Sequence, residues 1–124
     1  MIRIVIVDDH PAIRRMLRQL LSQSEEIRIV AEASNGKEAL DSVREHSPDV
    51  ITLDLMMNEM NGLEVLERLR TFPRPPKVVV ISLYDAPQLM QRAIEDGADA
   101  YIPKKELNPE RLIETVKELA EMST

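Results

Sequence analysis

Ile4-Val5-Ile6-Val7-Asp8-Asp9 and Val50-Ile51-Thr52-Leu53-Asp54 decide how this chain folds. Each is a short, almost unbroken apolar run, the pattern of a strand covered on both faces of a parallel sheet. Each ends in carboxylates. In an open parallel α/β sheet the C-terminal strand ends share one edge, and such folds place their sites there. Acids gathered at that edge repel one another. At ~4 Å and an effective dielectric near 20, each pair costs roughly 4 kcal/mol before screening. A divalent cation between them would offset that repulsion, so the two runs imply a metal site as well as a fold.

Outward from these runs, strand and helix signals alternate to both ends. Ile2 to Val7 reads as a strand, and Pro11 suits the first position of a helix carrying Ile13, Met16, Leu17, Leu20 and Leu21. Ile27, Ile29 and Ala31 alternate with more polar neighbours, as an edge strand would. Asn35 with Glu38, and Asn61 with Glu64, have the spacing of capping boxes. They open helices through Leu40 and Val43 and through Leu63, Leu66 and Leu69. Val78 to Ile81 is another buried strand, after which Asp85 with Gln88 would cap a helix that Gly97 ends. Ala100 to Ile102 is the last strand, and Asn108-Pro109 starts a helix with Leu112, Ile113, Val116 and Leu119.

Five strand–helix units imply an α/β, doubly wound (βα)5 flavodoxin-like sandwich. The three apolar strands belong in the middle, and the alternating second strand fits an edge. The sheet order 2-1-3-4-5 satisfies both. Phe72 to Pro76 reads as a loop, and neither an internal repeat nor a linker divides the chain, so residues 1–124 form one domain.

Composition narrows the function. The net charge is −6, which opposes gripping a nucleic-acid backbone or an anionic membrane by this segment alone. There are no cysteines, so neither disulfides nor thiolate metal ligands arise. The apolar start is too short to cross a membrane and lacks a signal-peptide pattern, so the expected location is the cytoplasm.

In the order 2-1-3-4-5, Asp8-Asp9, Asp54, Ser82 and Lys104 come to one edge. Hard oxygen donors favour Mg²⁺. The hydroxyl and the amine can hydrogen-bond an anion beside it. Singly, each residue is more often a solvated pair, a loop residue, turn chemistry or a surface charge. Jointly they form a phosphoryl-transfer set with a carboxylate available as nucleophile.

These residues resemble the receiver domain of bacterial two-component response regulators over essentially the whole chain. The stretches that carry the resemblance are Ile4 to Pro11, Asp49 to Leu55, Met60-Asn61-Gly62-Leu63, Val79 to Ser82 and Gly97 to Lys104. Asp8-Asp9-His10-Pro11 and Val30 to Gly36 are most similar to the NarL/FixJ (LuxR) type. The resemblance implies that Asp54 accepts a phosphoryl group from a sensor histidine kinase. Asp9 and Asp54 would hold Mg²⁺ with the backbone carbonyl of Met56, and Asp8 would act mainly through a bound water. Lys104 would pair with the phosphoryl oxygens. Ser82 would move to reach them while Tyr101 turns inward, changing the face of the fourth helix, fifth strand and fifth helix. Such a chain is not an enzyme but a phosphoacceptor that assists its own phosphorylation and dephosphorylation. Implied partners are the kinase, a second copy of the chain as a candidate on phosphorylation, and DNA only through a helix-turn-helix domain beyond this chain. The alternatives of an excised fragment and a stand-alone receiver acting through protein contacts both stay open.

Two positions depart from the family. Asn58 stands where proline is usual and could loosen its loop. Lys105 follows the lysine where proline is frequent, so a cis bond is not expected there. His10 is a weaker metal-ligand candidate, because Mg²⁺ prefers oxygen. His46 reads as a helix C-terminal charge at most, and Met56, Met57 and Met60 as packing and loop residues. Met56 and Tyr84 could shield an acyl phosphate. Arg14, Arg15 and Arg18 read first as a solvated face, with part of a kinase-docking surface as the alternative. A flavin carrier would need a Ser/Thr/Gly-rich loop after the first strand. A haloacid-dehalogenase-type phosphatase would need an acid where Met56 stands.

Overall fold

The computed structural model describes residues 1–57, 60–83 and 86–122. The strands are β1 (Ile2–Val7), β2 (Ile27–Ala33), β3 (Val50–Leu53), β4 (Lys77–Ser82) and β5 (Ala100–Pro103). Between and after them lie α1 (Pro11–Leu21), α2 (Gly36–His46), α3 (Gly62–Leu69), α4 (Pro87–Glu95) and α5 (Pro109–Met122). The sheet is parallel with order β2-β1-β3-β4-β5, and the alternating second strand does lie at an edge.

The period of two along each central strand sorts its side chains into two layers. Val5, Val7, Ile51, Leu53, Val78 and Val80 pack with Leu40 and Val43 of α2, Leu66 and Leu69 of α3, and Ala93 of α4. Ile4, Ile6, Val50, Val79 and Ile81 pack with Leu17 and Leu21 of α1 and Leu112, Val116 and Leu119 of α5. Continuous apolar runs are what burial on both faces requires.

Local chemistry ends these elements much as the sequence foretells. Asn35 and Asn61 each accept a hydrogen bond from the backbone N–H three residues on, at 2.9 and 3.0 Å. The reciprocal half of the first box differs. Glu38 reaches Ser34, taking both its N–H and its hydroxyl at 2.9 Å, and these bonds hold the Glu38 carboxyl below its ordinary range. Gly97 follows α4 with φ +118°, the left-handed conformation that favours glycine. Ala86 precedes α4 and makes no side-chain cap there, and Pro87 opens the helix. Asn58, Tyr84 and Asp85 lie outside the described residues, and with them the expectations about loop stiffness, shielding and that cap.

One buried polar group sits awkwardly. Thr52 Oγ1 is buried without a hydrogen-bond partner among the described residues, in register with Ile6 and Val79 of the α1/α5 layer. An unsatisfied buried group costs about 1–3 kcal/mol, so Thr52→Val, which keeps the β-branched shape, should stabilise the fold by ~1 kcal/mol or more. Urea denaturation measures this, and a clear loss of stability would mean that the hydroxyl has a bonding role.

Candidate functional site

Register delivers the site. Val7 pairs with Leu53, so the residues after them, Asp8 and Asp54, emerge side by side, and the Asp54 N–H donates to the Val7 carbonyl at 3.1 Å. Ser82 pairs with Pro103, which sets Lys104 one step beyond on the neighbouring strand. Asp8 is 1% and Asp54 3% exposed, so these are carboxylates in the protein interior rather than on its surface.

Lys104 Nζ lies 3.3 Å from Asp8 Oδ2 and 3.8 Å from Asp54 Oδ2. It is therefore closer to the first acid than to the second, and it neutralises only part of the cluster. Met56 N–H donates to Asp54 Oδ1 at 3.1 Å. Burial pushes the Asp54 carboxyl above its ordinary range, and the charges of Asp8 and Asp9 push the same way. The Met56 hydrogen bond and Lys104 oppose the rise without cancelling it.

Asp8, Asp9, His10 and Asp54 each offer one ligand atom, all within 4.8 Å of one another. Asp9 Oδ1 is buried and accepts no hydrogen bond among the described residues, although His10 Nδ1 approaches to 2.9 Å. A buried, unsatisfied carboxylate oxygen facing two further acids is what a hard divalent cation would satisfy. The residues fit such an ion.

The loop after β3 is held from behind by Gly62. Its N–H donates to the Leu55 carbonyl at 3.0 Å. A Cβ on Gly62 would stand 2.5 Å from Leu55 Cα and 2.7 Å from the Asp54 carbonyl oxygen. Only glycine lets α3 approach the acid-bearing turn this closely. Met57 and Tyr101 are buried in the α2/α3/α4 layer, Met60 is half-buried against it, and Met56 is exposed. Tyr101 thus already faces inward, and Ser82 is fully buried at the end of β4.

Arg14 corrects the reading of α1 as a solvated basic face. It donates to the Asp8 carbonyl at 2.6 Å and lies 3.6 Å from Glu32, which Arg18 also meets at 2.6 Å. Arg15 stays exposed. Spacing along α1 revealed the stripe, but the contacts to β2 and to the end of β1 needed the sheet order as well. His46, the last residue of α2, contributes its carbonyl to Arg3 at 2.8 Å.

Comparison with known proteins decides the family. Residues 4–117 match the response regulator receiver domain. This chain belongs to that family. The receiver is 38% identical over 117 residues to the nitrate/nitrite response regulator protein NarL of Escherichia coli K12, covering 94% of this chain and 54% of that one. It is 42% identical over 106 residues to a protein-glutamate methylesterase/protein-glutamine glutaminase of Methanospirillum hungatei, covering 84% and 31%. The chain spans about half the length of the NarL protein and less of the methylesterase. Among solved structures it resembles the receiver domain of NarL from Mycobacterium tuberculosis, with TM-score 0.91, 32% identity, and 97% and 96% of the two chains covered. It also resembles a chain in the CheX–CheY–BeF3–Mg²⁺ complex of Borrelia burgdorferi, with TM-score 0.87, 28% identity, and 95% and 88% covered. Mg²⁺ binding and phosphorylation are expected of this family. Among the described residues, no helix is long and apolar enough to cross a membrane.

In a chelating buffer the receiver should be more stable as Asp54→Asn. The raised carboxyl binds protons more tightly folded than unfolded, so its contribution is full below the unfolded value. It is lost as pH rises through the folded value. Urea unfolding from mildly acid to neutral pH should therefore show a fall in wild-type stability that the variant lacks. Equal pH profiles would mean that Lys104 and Met56 already compensate the charge. Asp8→Asn should likewise be no less stable than wild type in chelator.

Proposed function

We propose that residues 1–124 form one receiver unit that takes a phosphoryl group on Asp54 from a sensor histidine kinase and transmits its presence through α4, β5 and α5. The observation that carries this reading is the convergence of Asp8, Asp9 and Asp54 with Lys104 at 3.3 and 3.8 Å, at the C-terminal edge of the sheet.

Each residue has a task. An Asp54 carboxylate oxygen forms the new O–P bond as the P–N bond of a phosphohistidine donor breaks, and the electron pair leaves with the imidazole. Asp9, Asp54 and the Met56 carbonyl would hold Mg²⁺, with Asp8 acting mainly through a bound water. When bound, the ion supplies positive charge against the phosphoryl oxygens. Lys104 is near enough to Asp54 to turn to those oxygens. Gly62 and the Met56 N–H hold the nucleophile in place. The chain is thus a phosphoacceptor that assists its own phosphorylation and dephosphorylation, without turnover of a separate substrate.

A phosphoryl group shifts a conformational equilibrium only by interacting more strongly with one state than the other. Ser82 supplies that difference, because its hydroxyl must move to reach the new oxygens. Tyr101, buried on the adjoining strand, is the residue that reports it. Output through a DNA-binding domain is the favoured extension, since relatives are named as response and transcriptional regulators and are about twice as long. Phosphorylation-dependent pairing of two receivers fits the same scheme, as does a cytoplasmic location beside the kinase.

Beryllofluoride with Mg²⁺ tests the switch. Amide shifts should move around Asp54, Lys104, α4 and β5 in the wild type and nowhere in Asp54→Asn. A hydrogen bond to a charged group is worth ~1.5–3 kcal/mol, so Ser82→Ala should bind beryllofluoride yet lose most of the response near Tyr101. A complete wild-type pattern in Ser82→Ala removes this hydroxyl from the coupling. No shift in the wild type overturns the receiver mechanism.

A further inference from the structure

We propose that His10 is a nitrogen donor to the ion held by the acid cluster, so that this receiver binds Co²⁺, Ni²⁺ or Zn²⁺ in a way an all-oxygen site does not; the proposal rests on the metal-site reading above. His10 Nδ1 lies 3.2 Å from Asp8 Oδ1 and 2.9 Å from Asp9 Oδ1. Around an octahedral ion with bonds of about 2.1 Å, adjacent ligand atoms stand roughly 3.0 Å apart. The 2.9 Å separation from Asp9 Oδ1 is that of neighbouring ligands in one coordination sphere.

A hydrogen bond alone accounts for only half of this placement. One Nδ1–H can serve one oxygen, and the ring bonds Asp8 Oδ1 at 3.2 Å. Asp9 Oδ1, nearer still, is left buried and unsatisfied. With its proton on Nε2, a neutral imidazole leaves the Nδ1 lone pair free, within 3.2 Å of Asp8 Oδ1 and 2.9 Å of Asp9 Oδ1. A cation there would meet the ring nitrogen and Asp9 Oδ1 directly and Asp8 through its bound water.

The rest of the turn permits this. The His10 backbone N–H donates to Asp8 Oδ1 at 2.9 Å, which fixes the turn whatever the side chain does. The side chain itself is 58% exposed, so the ring can shift by tenths of an ångström and keep Nε2–H in water. Carboxylate and water suit Mg²⁺, whereas imidazole suits the later divalent ions. Adding one nitrogen to three carboxylates therefore raises affinity for those ions more than for Mg²⁺.

Calorimetric titration of the untagged chain with Ni²⁺ and with Mg²⁺ separates the outcomes. His10→Ala and His10→Gln should each weaken Ni²⁺ binding at least about tenfold, the low end of what loss of a residue supporting a metal ligand costs. Both should leave the Mg²⁺ affinity nearly unchanged. His46→Gln should alter neither. In Co²⁺-loaded protein, the His10 ring should give a hyperfine-shifted, solvent-exchangeable Nε2–H resonance that disappears in His10→Ala. Unchanged Ni²⁺ affinity, parallel weakening of both ions, or the absence of that resonance overturns the proposal. Failure of the wild type to bind either ion, or binding that survives Asp9→Asn, is a different result: it overturns the metal-site reading itself, and this proposal with it.

Discussion

Acetyl phosphate with Mg²⁺ is expected to add one phosphoryl group to this receiver, at Asp54, and Asp54→Asn is expected to remove the reaction altogether. Asp54 is set apart from the other acids by its surroundings. It is buried, its carboxyl is raised by burial and by Asp8 and Asp9, and one oxygen is oriented by the Met56 N–H at 3.1 Å. Asp8 is also buried, but its oxygens are engaged by Lys104 and by the His10 backbone N–H. The Asn variant keeps the shape and loses the nucleophilic oxygen, so the loss should be complete. Lys104→Ala should retain Asp54 as acceptor but react more slowly, because the anion clamp is gone. Intact mass followed by peptide mapping reads both. A phosphoryl group that persists in Asp54→Asn and maps to Ser82 would reassign the nucleophile.

Mg²⁺ should also raise the thermal stability of the receiver, and Asp9→Asn should abolish most of the gain. A ligand bound only by the native state stabilises it by mass action, ~2.7 kcal/mol at a free concentration 100 times its dissociation constant. The source of the effect is local. Without an ion, Asp9 Oδ1 is a buried oxygen with no hydrogen bond, and Lys104 faces Asp8 and Asp54 rather than Asp9. Melting curves at rising Mg²⁺ concentration test this. An Mg²⁺ response that survives Asp9→Asn moves the ion elsewhere. A response lost in Asp9→Asn but retained in His10→Ala is the outcome consistent with an oxygen-held Mg²⁺.

The apolar runs, read with the alternating second strand, were enough to determine the parallel sheet and its order, and so the edge to which the acids come. Burial on both faces leaves a continuous apolar signature, and partial exposure of β2 leaves an alternating one. Caps were legible for the same reason: Asn35 and Asn61 act on N–H groups three residues away, a distance local geometry fixes. Even so, the partner of Glu38 proved to be Ser34, because a side chain several bonds long can reach either of two neighbouring donors.

Tertiary structure alone decided contacts between residues far apart in the chain. Lys104 favours Asp8, 96 positions away, and that preference depends on the register of β1, β3, β4 and β5 together. Arg14 looked like part of a solvated stripe, since a helix pattern shows which residues share a face but not what that face meets. Only the packing of α1 beside β2 brought it to Glu32 and to the Asp8 carbonyl. The need for glycine at position 62 lies in the approach of α3 to the backbone of Asp54 and Leu55. His10 and Asp9 are neighbours in sequence, yet that adjacency left open whether the ring faced solvent or the acids. The turn after β1, closed by the His10 N–H on Asp8, brings Nδ1 close to both carboxylates.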